Sequence, residues 1–143
     1  VSFGSKAEYG LVALMELASA YATGEILRVT EIANRQSIPD RYLEQMLATL
    51  RRGQLLSSLR GPRGGYRLTR PPAEISLAEV LACLEGETAG RPLPPQRTPE
   101  FEVLHSLAVD LVNQRQAILS GTTLQQLLER RDALSQSQAM YFI

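Results

Sequence analysis

Between Gln45 and Ala73 the chain carries Arg51, Arg52, Arg60, Arg63, Arg67 and Arg70 and not one carboxylate. Guanidinium groups gathered without counter-charges do electrostatic rather than covalent chemistry, because each planar fork can donate two parallel hydrogen bonds to a phosphate or to a guanine edge. The stretch RGPRGGYRLTR, residues 60–70, mounts four of these arginines among Gly61, Gly64 and Gly65. Glycine lets a backbone pass close to a partner, so Arg60, Arg63 and Arg67 can reach phosphates or an adjacent minor groove. The bland alternative, a solvated charged surface with glycines serving only a turn, explains the missing acids less well. A polyanion is the expected partner.

The elements that must position these groups follow from periodicity and punctuation. Ser5 with Glu8 reads as a capping box opening a first helix, whose Ala7, Leu11, Leu14, Met15, Ala18 and Tyr21 recur at helical spacing until Thr23-Gly24. A short second helix fits Thr30 to Arg35 with Thr30 as N-cap, and Ser37-Ile38-Pro39 breaks it. A third runs from Asp40 to Arg52, stops at Gly53 and buries Leu43, Met46, Leu47 and Leu50. Leu55 to Leu59 and Tyr66 to Thr69 then read as two strands around a Gly61–Gly65 turn. Beyond Pro71-Pro72, Ser76 and Glu79 cap a fourth helix, with Leu77, Val80, Leu81 and Leu84 inward and Gly86 as its stop. Residues 86–99 hold four prolines and read as a hinge. Thr98-Pro99 opens a long helix ending at Ser120-Gly121, and Thr123 with Gln126 caps a last short one.

Two helices joined by a tight turn and followed by a hairpin give a winged helix-turn-helix: mainly α, with a small β wing and a long helix appended. The expected division is a winged domain over 1–85, a hinge or effector loop over 86–99, and a dimerisation helix with a short helix packed back on the first domain over 100–143. On the third helix, Arg41, Gln45, Ala48 and Arg52 share one face opposite the leucines. Docking by the first residues of such a helix makes Arg41, Tyr42 and Gln45 candidates for reading bases, arginine toward guanine and glutamine toward adenine. Asp40 and Glu44 lie among them, and Glu44 could cap, accept from a cytosine amino group or select against wrong sites.

Zero net charge hides an asymmetry, ten basic and six acidic residues over 1–70 against five and nine over 71–143. No apolar run approaches the ~20 residues of a membrane span. The N-terminal residues lack a signal-peptide layout and Cys83 is the one cysteine, so a reducing, cytoplasmic setting is expected. Catalysis is the weakest class, since no nucleophile, paired base or phosphate-cradling motif is present.

The segments YGLVALMELA and TEIANRQSIPDRYLEQMLATLRRGQLLSSLRGPRGGYRLTRPPAEISLAEVLACLEG resemble the Rrf2 family of winged helix-turn-helix regulators typified by IscR, CymR and NsrR. The likeness is close over residues 2–86 and looser through the long helix to TTLQQLL. It implies a homodimer with crossed long helices on a pseudo-palindromic double-stranded DNA site, with contacts at Pro39, Arg41, Tyr42 and Gln45 and a wing contact at Arg60. The candidate DNA-binding set is therefore Thr30, Pro39, Arg41, Tyr42, Gln45, Arg52, Arg60, Arg63 and Arg67. The candidate dimer face is Leu104, Leu107, Ala108, Leu111, Val112, Ile118 and Leu119, an apolar stripe longer than so small a domain needs for its own core.

Cluster-binding members of the family carry three cysteines in the loop before the long helix, and residues 86–102 here contain none. Cys83 reads as a small core residue, and His105, where some relatives supply a ligand, as a packing or interface residue. Cys83 and His105 from two subunits could give a sparse N/S site, but an iron–sulfur cluster normally needs several thiolates, and no conventional cluster is expected. The resulting expectation is a dimeric DNA-binding repressor responsive to redox, iron, a metabolite or a partner. A protein-docking module regulating a metabolic enzyme is the alternative.

Overall fold

Leucine at helical spacing drives the first step of the fold: Leu11, Leu14 and Leu17 of α1 (Ser5–Tyr21) lie in the core, and α2, α3, β2, α4 and α6 pack against this helix. The computed structural model describes residues 3–62, 64–86 and 98–141, with side chains to residue 138. Its remaining elements are α2 (Val29–Gln36), α3 (Asp40–Arg52), β1 (Leu56–Leu59), β2 (Gly65–Leu68), α4 (Leu77–Glu85), α5 (Pro99–Ser120) and α6 (Leu124–Tyr141). A 3₁₀ turn, Pro72–Glu74, links β2 to α4. Among the described residues no helix is long and apolar enough to cross a membrane.

α2 and α3 form a helix pair around a turn at Ser37, which adopts a left-handed conformation (φ 54°). That geometry lets the Ile38 N–H reach back to the Ala33 carbonyl at 3.0 Å, and it buries Ile38 between the helices. Pro39 then precedes α3, whose bounds and buried face of Leu43, Met46, Leu47 and Leu50 are those expected from sequence. β1 and β2 pair antiparallel with Leu56 opposite Leu68, Ser57 opposite Arg67, Ser58 opposite Tyr66 and Leu59 opposite Gly65. Gly61, at φ 106°, makes the turn between them, a conformation that costs an L side chain dearly. Leu27 adds a one-residue bridge to Tyr66 on the outer side of β2.

Of the later caps, Thr98 accepts from the Phe101 N–H at 3.4 Å as expected, whereas the Ser76–Glu79 box forms only by its serine half, the Glu79 carboxylate being paired with Arg70. The Ser76 hydroxyl accepts from Glu79 N–H at 3.2 Å. Thr123 and Gln126 bond reciprocally, at 2.9 and 3.2 Å.

Five expectations are corrected. Ser5 lies inside α1 and caps nothing; Gly4 precedes the helix without a side-chain cap, and its carbonyl receives the Glu8 N–H. Thr30 is not an N-cap: α2 starts one residue earlier, after Arg28, whose extended backbone ends the bridge to the wing. The strands are offset by a residue, so Leu55 and Thr69 fall outside them at the wing's base. The last helix is not short, since α6 continues for 18 residues. Leu119 leaves the dimer stripe, for it is 5% exposed and buried with Leu124 and Leu128 in the core of its own chain. The hinge over 87–97 lies outside the described residues.

Candidate nucleic-acid interface

The polar side of α3 is open to solvent. Arg41, Tyr42, Glu44 and Gln45 are all exposed on its first turns, and Tyr42 keeps 47% of its surface accessible despite its aromatic ring. Burial of the leucine side against α1 orients them, because a helix that commits one face to the core must present the other. Further along, Arg52 is exposed but tethered: its Nη2 donates to Thr49 Oγ1 at 3.2 Å, while Thr49 Oγ1 donates to the Gln45 carbonyl at 3.0 Å. Pro39 is exposed immediately before α3, and Thr30 is exposed in the first turn of α2.

The wing extends from the end of α3. Arg60 stands exposed at its turn, and Arg67 projects from β2 with its Nε donating to Ser57 Oγ at 3.3 Å. Arg63 lies outside the described residues. Arg51, outside the candidate set, is exposed on the last turn of α3 and donates from Nη1 to Ser58 Oγ of β1 at 3.3 Å. Arg28 is another exposed cation, beside the bridge to Tyr66. Arg70 leaves the cationic group, because Glu79 of α4 folds onto it as an ion pair. Among the described residues none of Arg28, Arg41, Arg51, Arg52, Arg60 and Arg67 is paired with a carboxylate.

Cys83 and His105 sit apart in character. Cys83 is half-buried on α4, its thiol donating to the Thr49 carbonyl at 3.4 Å and packing so closely on Gly53 that a Cβ there would overlap it. Burial pushes this thiol above its ordinary pKa, partly offset by the positive charge of Arg52. His105 is exposed on α5. Among the described residues no three His, Cys, Asp or Glu side chains gather as metal ligands.

The exposed α5 face completes the picture. Phe101, Val103, Leu104, Leu107, Leu111, Val112 and Ile118 are all exposed, Leu111 by 60% and Ile118 by 68%.

A helix pair with an open polar second helix, followed by a hairpin that carries exposed arginines, defines a winged helix-turn-helix. Residues 3–130 match the Rrf2 family, described as iron-dependent transcriptional regulators, and the chain belongs to that family. It is 38% identical over 131 residues to the ORF2 regulator of Azotobacter vinelandii, covering 90% of this chain and 79% of that protein. It is 40% identical over 86 residues to IscR of Cereibacter sphaeroides, covering 59% of this chain and 56% of IscR. Two Mycobacterium tuberculosis relatives, 44% identical over 85 residues, are spanned over 52% of their length, so the chain covers about half of these proteins. Among solved structures, CymR, the global cysteine regulator of Bacillus subtilis, superposes with a TM-score of 0.74 at 29% identity, over 91% of this chain and 98% of CymR. IscR of T. potens gives 0.75 at 29% identity, over 92% and 88%. These relatives are regulators, not enzymes.

The family is described as iron-dependent, and the sequence offers a single cysteine and a single histidine toward a cluster. That is fewer than the several thiolates that normally hold an iron–sulfur cluster. Cys83 is moreover committed to the α3–α4 seam.

Proposed function

We propose that the chain acts as a homodimeric, sequence-specific DNA-binding repressor, reading a pseudo-palindromic duplex with two copies of α3 and two wings. The observation that carries this reading is the exposed Arg41, Tyr42 and Gln45 next to a wing whose Arg60 and Arg67 have no carboxylate partner among the described residues. Base edges fall to the first group; phosphates fall to Arg60, Arg67 and, from their exposure beside the wing, Arg51 and Arg28. Thr30, Pro39, Arg52 and Arg63 belong to the same surface in this reading. Support for the dimer comes from the α5 stripe of Leu104, Leu107, Ala108, Leu111, Val112 and Ile118, which has no partner within the described chain. A small effector or partner protein, rather than a thiolate-held cluster, sets the response.

Selection of bound duplexes from a random pool, run aerobically and anaerobically with added iron, tests the reading. An inverted-repeat consensus, with binding that weakens linearly in log salt by about 0.9 per phosphate contact, is the expected result. No enrichment over random duplex, or a strictly monomeric protein, overturns it. Anaerobic reconstitution with iron and sulfide is expected to leave no cluster absorption.

A further inference from the structure

We propose that Thr69 is a positioning residue that fixes the angle of the wing against α3, an inference that rests on the DNA-binding reading above. The two parts meet at Gly53, Gln54 and Leu55. Gln54 there adopts a left-handed backbone (φ 65°) that side chains other than glycine, asparagine and aspartate seldom take. Its N–H donates to the Arg51 carbonyl at 2.9 Å, and its own carbonyl takes a side-chain donor from the wing. Thr69, just past β2, supplies it. The Thr69 hydroxyl donates to Gln54 O at 2.7 Å, with Leu55 O as a second, longer acceptor at 3.2 Å, while the Thr69 N–H bonds Leu55 O at 3.1 Å.

One side chain therefore ties the return strand of the wing to the residue at which the chain leaves α3. Arg51 to Ser58 is a second tie across the same joint, whereas the Leu27 bridge holds β2 to the segment before α2 and not to α3. Lever length gives the tie its importance. From Leu55 to Arg60 the strand extends roughly 16 Å at ~3.3 Å per residue, so a 10° swing at the base displaces the Arg60 end by about 3 Å. That equals a whole hydrogen-bond length, enough to lose a phosphate contact. Arg41 and Gln45, on the far side of the joint within α3, do not move with the wing.

The experiment compares Thr69→Val, which keeps shape and loses the donor, with Thr69→Ser, which keeps the donor, in full-chain protein on the selected duplex and on random duplex. Thr69→Val is expected to weaken both alike, about fivefold, and to flatten the salt dependence by about one contact, as Arg60→Ala does, with base preference unchanged. Thr69→Ser is expected to match the wild type. In the Arg60→Ala, Arg67→Ala background Thr69→Val should cause no further loss. Unchanged affinity and salt slope in Thr69→Val, additive loss in that background, altered base preference, or equal loss in Thr69→Ser each overturn the proposal. Should Thr69→Val not fold, Thr69→Ala takes its place; loss of folding in both assigns Thr69 to stability and overturns it as well. A wild-type chain that binds no duplex instead strikes the DNA-binding reading itself.

Discussion

α3 and α5 are written in the same periodic alphabet and come to opposite ends. In α3 the stripe Leu43, Met46, Leu47 and Leu50 is buried by α1 and α4, and the remaining face is left free for a ligand. In α5 the stripe of Leu104, Leu107, Leu111 and Val112 stays open, and Leu119 is the one buried residue of the helix. Amphipathic spacing thus says that a face will be covered, not by what. Where the chain itself supplies the cover the helix becomes a fixed platform. Where it does not, the apolar face is available to another molecule, and in the proposed dimer that molecule is the second copy.

The sharpest way to break this contrast is one substitution made twice. Leu47→Ala opens a cavity in the core and is expected to lower stability by about 2–5 kcal/mol, independent of protein concentration. Leu111→Ala should leave the stability of the separated chain within about 0.5 kcal/mol. Its effect should appear as a weakened dimer and a concentration-dependent melting temperature. Denaturant titrations at several concentrations, alongside sedimentation, read both. Equal, concentration-independent losses from the two would place α5 in a core rather than at an interface.

Within the proposed DNA surface the comparison moves to α3 against the wing. Arg41→Ala is expected to relax discrimination at one base position by about 1–3 kcal/mol, measured with a panel of single-base duplex variants. Arg60→Ala should weaken all duplexes alike and reduce the salt slope by about 1. Identical loss of discrimination from both would remove the division between reading helix and clamping wing.

How far the sequence foretold these two regions depends on where its signals stop. α3 was legible to the residue because Pro39 and Gly53 bracket it and its leucines keep a strict period. The end of α6 was not: from Glu129 to Gln138 every residue is exposed, so no apolar stripe marks a helix that Gln, Arg, Ala and Leu sustain by propensity beyond a good cap. Leu119 continues the α5 stripe without any sign that the chain has switched from an open face to its own core. Arg70 shows the same limit in electrostatics. A window free of acids cannot see Glu79, which is nine residues away in sequence and is delivered by the turn through Pro72. Arg51 erred the other way, its place beside Ser58 depending on a joint that sequence spacing does not describe.

A smaller effect tests how α6 is held to the winged domain. The reciprocal Thr123–Gln126 cap satisfies two N–H groups at the start of α6, next to the bonds from Leu77 N–H to Thr122 O and from Leu124 N–H to Ile75 O that join α6 to α4. Thr123→Ala is expected to cost about 1 kcal/mol of stability in urea titrations, with dimerisation unaltered. A loss of dimer without loss of stability would mean that α6, not α5, governs pairing.

The slightest change expected concerns Cys83, at the seam between α4 and the reading helix. Burial raises its pKa, and the Arg52 charge only partly opposes that. The folded chain therefore holds the thiol proton more tightly than the unfolded chain does. Below the ordinary thiol value both states are protonated, and the neutral thiol's full contribution to stability is present. As pH climbs past that value the unfolded thiol ionises first, which favours unfolding, and the contribution drains away until pH passes the raised folded value. Stability of the wild type should thus fall more steeply than that of Cys83→Ala as pH rises past the ordinary thiol value, the difference between the two curves isolating the thiol. Parallel alkaline curves would show that the thiol is as free in the fold as in the open chain, and the seam between α3 and α4 looser than its contacts with Thr49 and Gly53 imply.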